Sequence, residues 1–324
     1  MTNTIRLQEV PLVQIDMDEA ALELVAAADL DRLRNSLKEV GLLNPPWLKP
    51  HAKGGRWQVV TGTRRVMAAA DLGWQEITAR LLPGDAPDFY CLQVYLMDNA
   101  FTRGFNLWEQ AALAARLLAH CDQETLAGTY LPYMGLPPSL AFLSRLLKAA
   151  TLKPPWPRLA AQGRLALTAA AQLSEWDPED RAAAWPFLSG LRFSQSKQEE
   201  FLEQVALLAR REGVSAAAIL ARTELRLPLA DPERSPQEKT ETVRQQLYRW
   251  FYPRLSAARE AFETTLGNLG WKGTPRVRLY PPAAFEGPDF RLEIKFRDAP
   301  ELRQLLDEIG RLTRQEDFTD LTRS

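Results

Sequence analysis

Apolar residues change their spacing twice along this chain. Between residues 5 and 110, short β-type runs alternate with short helical stripes. Ile5 to Ile15 is a β-type run broken by Pro11. From Asp29 to Val40, the residues Leu30, Leu33, Leu37 and Val40 recur at helical spacing. Trp57 to Val60 and Ile77 to Leu82 read as strands, and a strand is also expected after Asn44-Pro45-Pro46. Val66 to Leu72 and Phe89 to Asn99 read as helices, with Leu92, Leu96 and Asn99 sharing one side of the second. This alternation predicts a small α/β domain over residues 1–110.

Residues 111–226 change character and are dominated by Ala and Leu. Leu107 to His120, Leu126 to Met134 and Leu140 to Thr151 are expected helices, with Leu143, Leu146 and Leu147 as the apolar stripe of the last. Gly135-Leu136-Pro137-Pro138 forms a turn before Ser139, a helix cap. Two short helices about a Gly-bearing turn have the outline of a helix-turn-helix. Residues 227–240 are rich in Pro and charge and read as a linker. One long helix is expected from about Gln237 to Leu269, and the domain at 241–324 continues with strands at Arg276 to Tyr280 and Phe290 to Phe296 and a helix from Glu301 to Leu312. The second strand alternates apolar and charged residues, which predicts one buried face. Two strands bury little alone, so this α+β unit is expected to pair with a second copy as a dimerisation domain. Its basic residues Arg276, Arg278, Arg291 and Lys295 suit a solvated strand face or, alternatively, a nucleic-acid face.

The 324 residues carry 40 Lys and Arg against 41 Asp and Glu, so no global basic field drives nucleic-acid binding. A local basic face stays open. Cys91 and Cys121 fall in apolar helical context, outside any Cys-x-x-Cys pair, and read as small core residues. The 2 histidines, His51 and His120, are too scattered for a zinc site, and His51 is expected to be exposed in a turn. No apolar run reaches membrane-spanning length and no leader signal is evident, so the expected location is the cytoplasm, on the nucleoid if DNA is bound.

The candidate chemistry lies in Val59-Val60-Thr61-Gly62-Thr63-Arg64-Arg65, a strand that runs through a Gly turn into a helix carrying two arginines. Gly62 permits close backbone approach, and the helix start offers N–H groups and a positive dipole end to an anion. Arg64 and Arg65 add permanently charged forks. Asp98-Asn99 is a hard-oxygen pair suited to magnesium beside phosphate. Asn106 caps the next helix.

Three segments occur in order: Gly41-Leu42-Leu43-Asn44-Pro45, Gly62-Thr63-Arg64-Arg65, and Asp98-Asn99 with Arg103 and Asn106-Leu107-Trp108-Glu109-Gln110-Ala111. They resemble the ParB partition-protein family, whose N-terminal domain is shared with sulfiredoxins. The family motifs read Gly-x-x-Gln-Pro, Gly-Glu-Arg-Arg and Glu-Asn-x-x-Arg, then Leu-Asn-x-x-Glu-x-Ala. The resemblance implies a ParB/sulfiredoxin-like α/β domain, a helix-turn-helix middle domain, and a DNA clamp gated by CTP and Mg2+ in chromosome or plasmid partition. It also implies a homodimer and a partition ATPase as partner.

Carried onto this chain, Gly41, Gly62, Thr63, Arg64, Arg65 and Asn99 are nucleotide-binding residues. Asp98 and Asn99 hold the metal, and Asn44, Asp98 and Arg103 act on the terminal phosphate. Three departures stand out: Asn44 replaces Gln, Thr63 replaces Glu and Asp98 replaces Glu. Shifting positioning groups by a methylene costs on the order of a hundredfold in rate, so the expectation is retained binding with slow or absent CTP hydrolysis.

Arg145, Lys148 and Lys153 are the candidate DNA contacts. They lie late on or beyond the expected recognition helix, a placement for phosphates rather than bases. The plain start of that helix supports an alternative: a nucleotide-binding adaptor without specific DNA binding, working through protein partners. A sulfiredoxin-type enzyme needs a cysteine beside the phosphate-binding Arg, and Gly62 to Arg65 contains none. A nuclease ranks low, because no carboxylate cluster for two metals accompanies the Arg pair.

Overall fold

The computed structural model describes residues 6–17, 27–51, 54–271 and 276–323. It divides into two compact units, Met1–Leu202 and Glu203–Ser324.

The first unit opens with a five-stranded mixed sheet in the order β1-β5-β3-β4-β2. The strands are β1 (Arg6–Pro11), β2 (Ile15–Asp16), β3 (Trp47–Pro50), β4 (Trp57–Thr61) and β5 (Glu76–Leu81). Pro11 ends β1, and a 3-10 turn (Leu12–Gln14) separates it from β2. The chain therefore reaches opposite edges of the sheet from one β-type run. β1 runs antiparallel to β5 with Val10 opposite Ile77, while β3 is antiparallel to β4 and parallel to β5. Val10, Ile15, Leu48, Val59, Val66, Ala69, Ile77 and Ala79 form the core on this sheet.

Helix α1 (Ala27–Val40) ends at Gly41, whose φ of 72° and N–H to the Leu37 carbonyl (3.1 Å) make a left-handed cap. Leu30 and Leu37 of α1 bury against Ala68 of α2 (Thr63–Asp71). Helix α2 starts at Thr63, three residues before the expected Val66. The arginine pair thus lies inside its first turn. Helix α3 (Asp88–Ala100) follows β5 and packs against β4.

Helix α4 (Leu107–Leu117) begins at a capping box: Asn106 accepts from the Glu109 N–H (2.9 Å), and Glu109 accepts from the Asn106 N–H (3.0 Å). Asp122 then caps a continuous helical stretch made of α5 (Gln123–Thr125), a π turn (Leu126–Tyr130) and α6 (Leu131–Tyr133). Ser139 caps α7 (Leu140–Ala150) by accepting from the Phe142 N–H at 3.3 Å. Helices α8 (Trp156–Ala161), α9 (Leu167–Ser174), α10 (Pro178–Gly190) and α11 (Gln195–Glu212) complete the series. Helix α7 packs on α4 and α9 through Leu143, Leu146 and Ala149, while Leu147 is only half-buried. The α/β-then-helical order read from the sequence is present.

The second unit contains α12 (Ala216–Leu220), α13 (Thr223–Ala230), α14 (Pro236–Phe251) and α15 (Pro253–Asn268). Helix occupies both ends of the stretch read as a linker, leaving residues 231–235 between α13 and α14. The expected single long helix is two. Tyr252 leaves helical geometry (φ −119°, ψ 64°) because Pro253 excludes the helical conformation from the residue before it. The antiparallel pair β6 (Val277–Tyr280) and β7 (Arg291–Ile294) follows, then α16 (Ala299–Leu312) and α17 (Glu316–Arg323). Phe262, Leu266, Trp271, Val277, Leu305 and Ile309 form its core. The alternation from Phe290 to Phe296 does not produce a fully buried face: Leu292 on β7 is 41% exposed and Phe296, beyond the strand's end, 51%. Alternation assigns a side chain to a face, but covering that face takes a neighbouring element.

Candidate functional site

The three sequence segments meet where β4 ends. Gly62 sits at φ 98°, a conformation that strongly favours glycine, and a Cβ there would lie 2.8 Å from Pro46 Cβ. The Gly41–Pro46 loop therefore presses directly on the turn that launches α2. No side chain caps this helix start.

Arg65 ties the segments together. Its Nη1 donates to the Asn44 carbonyl at 2.5 Å and its Nη2 to Asp98 Oδ2 at 3.1 Å. Asp98 Oδ2 also accepts from Thr61 Oγ1 at 2.9 Å. Asp98 and Arg65 keep roughly a fifth of their side-chain surface in solvent (20% and 19%), so the pair lies at a rim rather than in the core. Arg64 is half-buried beside it, and Thr63 is buried at the first helical position.

A second network continues from Asn99, which is 3% exposed. Its amide nitrogen donates to the Tyr95 carbonyl (2.8 Å) and Thr61 Oγ1 (3.3 Å), and its oxygen accepts from Arg103 Nε (2.8 Å). Arg103 in turn forms a fork with Glu109, at 2.9 and 2.8 Å. Glu109 is fully buried, so Arg103 supplies its countercharge. Arg103 and Asn99 thus lock the end of α3 to the start of α4.

Of the expected site residues, Gly41, Asn44, Gly62, Thr63, Arg64, Arg65 and Asp98 lie in or border this arrangement. Asn99 and Arg103 join it through the inner network, with their polar ends already engaged. Thr61 and Glu109 are connecting residues that carried no assigned role in the sequence. For Glu109 a signal existed, since Asn106-x-x-Glu109 is a capping box. Its complete burial beside Arg103 comes from the packing of α3 and α4. Thr61, one residue before Gly62, offered no such signal.

Arg145, Lys148 and Lys153 are exposed, and Lys148 is ion-paired with Glu175. Cys91, on α3, and Cys121, in the bend after α4, are half-buried rather than core residues. Burial pushes the Cys91 thiol up from its ordinary value, away from the thiolate form. His51 is half-buried, not exposed, with its N–H bonded to the Arg56 carbonyl across the turn. Among the described residues, no group of three or more His, Cys, Asp or Glu could hold a metal by itself. No helix among them is long and apolar enough to cross a membrane.

A comparison with solved structures returns a C-terminally truncated chromosome-partitioning protein ParB from Caulobacter crescentus complexed to the centromeric parS site. It is 21% identical, with 61% of this chain and 99% of that chain covered and a TM-score of 0.34. The truncated Caulobacter protein complexed with CTP-gamma-S is 22% identical, with 57% and 99% covered and a TM-score of 0.27. A Pnob8-like ParB-N domain is 15% identical, with 61% and 89% covered and a TM-score of 0.36. No curated protein matches. Residues 1–100 match the family model described as the ParB N-terminal domain. The mixed sheet, the Gly62 turn and the Arg65 ties all lie within residues 1–100, the part of this chain that is similar to the ParB N-terminal domain.

Proposed function

We propose that the protein is a CTP- and magnesium-dependent DNA-binding clamp acting in chromosome or plasmid partition. One observation carries the reading: Arg65 bonds the Asn44 carbonyl and Asp98 at once, so three separate segments converge on the uncapped start of α2. That is the composition of a phosphate site, with helix N–H groups and two guanidinium groups in one turn and a carboxylate brought beside them by α3.

In this reading Arg64 and Arg65 bind the phosphates, and Gly62 and Thr63 line their path. The Gly41–Asn44 segment borders them. Magnesium, when bound, neutralises phosphate charge, and Asp98 is its carboxylate ligand. A triphosphate competes with Asp98 for Arg65, and a cation on Asp98 relieves that competition. Asn99 serves the metal directly only by releasing Arg103, so its first role is to hold Arg103 in place. Hydrolysis is slow or absent, because Asn44, Thr63 and Asp98 alter the groups that would orient water and metal. DNA phosphates meet Arg145 and Lys153, with Lys148 available once it leaves Glu175. The second unit joins two copies.

Calorimetric titration with CTP, ATP, GTP and UTP in magnesium tests the nucleotide assignment, with Arg64→Ala as control. The expected outcome is selective CTP binding, weakened at least tenfold by the substitution, and no product in a single turnover of radiolabelled CTP. Equal affinity for all four nucleotides, or for none, overturns it.

A second reading has an observation of its own. The first exposed positions of α7 are Leu140 and Ala141, which cannot read base edges by hydrogen bonds. A nucleotide-binding adaptor acting through protein partners accounts for them.

A further inference from the structure

Thr61 ends β4 and is 1% exposed, so its hydroxyl must find partners inside the protein. It finds them on two consecutive residues of α3. The hydroxyl donates to Asp98 Oδ2 (2.9 Å) and accepts from Asn99 Nδ2 (3.3 Å). A hydroxyl has one proton; here the carboxylate takes it, and the oxygen accepts the amide. The direction of each bond in the series is thereby fixed. Arg103 donates to Asn99, Asn99 to Thr61, and Thr61 to Asp98. Such chains polarise in one sense, and this one ends on the carboxylate.

The hydroxyl is held firmly. Thr61 pairs with Trp47 across β3 and β4, so the sheet sets its backbone. Its branched Cβ restricts the side-chain rotamer. Among the described residues, the Asp98 carboxylate accepts from Thr61 and from Arg65 Nη2 (3.1 Å), both on Oδ2. Oδ1 takes no hydrogen bond among them. No group of three His, Cys, Asp or Glu stands here either. A cation would therefore rest on this one carboxylate, with phosphate and water oxygens filling its shell, the manner in which magnesium is held.

We propose that Thr61 is a positioning residue for the phosphate site. Its hydroxyl holds Asp98 by Oδ2, which leaves Oδ1 for the cation, and ties that carboxylate to the Asn99–Arg103–Glu109 lock. The inference rests on the phosphate-site reading above. Of the two groups that hold Asp98, Arg65 is the one a triphosphate draws away. Thr61 is then the partner that keeps the carboxylate in place when nucleotide arrives.

The test is the gain in CTP affinity that magnesium confers, measured by calorimetry on the full-length protein in magnesium and in EDTA. The ratio cancels any loss common to both conditions, such as a loosened fold. Thr61→Val keeps size and branching but removes the hydroxyl. It should cut the gain about tenfold, the scale of losing a partner of a ligating carboxylate. Thr61→Ser should restore most of it. In nucleotide-free protein labelled with 15N-asparagine, the Asn99 side-chain amide should exchange with water faster in Thr61→Val than in wild type or Thr61→Ser. A Thr61→Val gain equal to that of wild type overturns this proposal alone, as does a Thr61→Ser gain as low as that of Thr61→Val, or equal exchange in all three proteins. Wild type that binds no CTP overturns the phosphate-site reading together with this one. If Thr61→Val does not fold, Thr61→Cys, whose thiol is a weak donor, reads the same ratio.

Discussion

At the scale of single residues, the N-terminal site is a chain of hydrogen bonds whose members have unequal burial. Arg65 and Asp98 meet at a solvent-touched rim and can exchange partners cheaply. Glu109 is fully buried, and its only charge compensation among the described residues is Arg103, which is 26% exposed. Breaking a buried pair costs roughly 3–5 kcal/mol, and the partial exposure of Arg103 places Glu109→Gln below that range, at about 2–3 kcal/mol. Urea unfolding of the full-length protein measures this, and a loss below about 0.5 kcal/mol would show that the fork is not structural. If Arg103 acts only by locking α3 to α4, folded Glu109→Gln should also bind CTP more weakly. Unchanged affinity in a destabilised variant separates the lock from the phosphate site.

At the scale of elements, α2 and α7 are the two helices whose ends the proposed function uses. Helix α2 keeps its start uncapped and carries Arg64 and Arg65 in its first turn, which is the feature the proposed phosphate site rests on. Helix α7 is capped by Ser139 and buries Leu143, Leu146 and Ala149, so its apolar stripe is fully explained by packing on α4 and α9. What it leaves outside is Arg145, with Lys153 just beyond its end. If these two meet DNA phosphates, Arg145→Ala with Lys153→Ala should lower the salt dependence of DNA affinity by about two counterions and weaken binding across all sequences alike. Lys148→Ala should do less, because breaking the pair with Glu175 offsets part of its contribution. A double variant with unaltered salt dependence favours the adaptor reading. The Tyr252-Pro253 break between α14 and α15 belongs to this scale as well: a single proline ended a helix whose polar and apolar pattern continued through it.

At the scale of the whole molecule, the open question is what covers the exposed part of the C-terminal sheet. Leu292 on β7 is 41% exposed, Phe296 just after it 51% and Leu306 on α16 48%, and a two-stranded sheet leaves strand edges without partners. In the proposed clamp, a second copy covers this face. Leu292→Glu with Phe296→Glu should then convert the protein from dimer to monomer in sedimentation velocity without loss of helical signal. A monomeric wild type, or a variant that sediments as a dimer, removes this face from the interface.

The sequence by itself determined the kinds of elements and their order. Helical spacing from Leu30 to Val40, the β-type runs around Val10, Val59 and Ile77, and the Asn106 and Ser139 caps are local signals, set by periodicity and by side chains within four residues. It also determined the segments at the site, because Gly62, Arg64 and Arg65 are adjacent in the chain. Tertiary structure decided what those residues do to one another. That Gly62 is pinned against Pro46, that Arg65 spans Asn44 and Asp98, and that Arg103 neutralises a buried Glu109 depend on β3, β4, α3 and the start of α4 coming together. No local pattern reports burial of a charge or a contact between segments tens of residues apart, because desolvation and pairing are properties of the packed molecule. The same holds for β7: its alternation predicts one buried face, but the exposure of Leu292 is set by the elements around the strand.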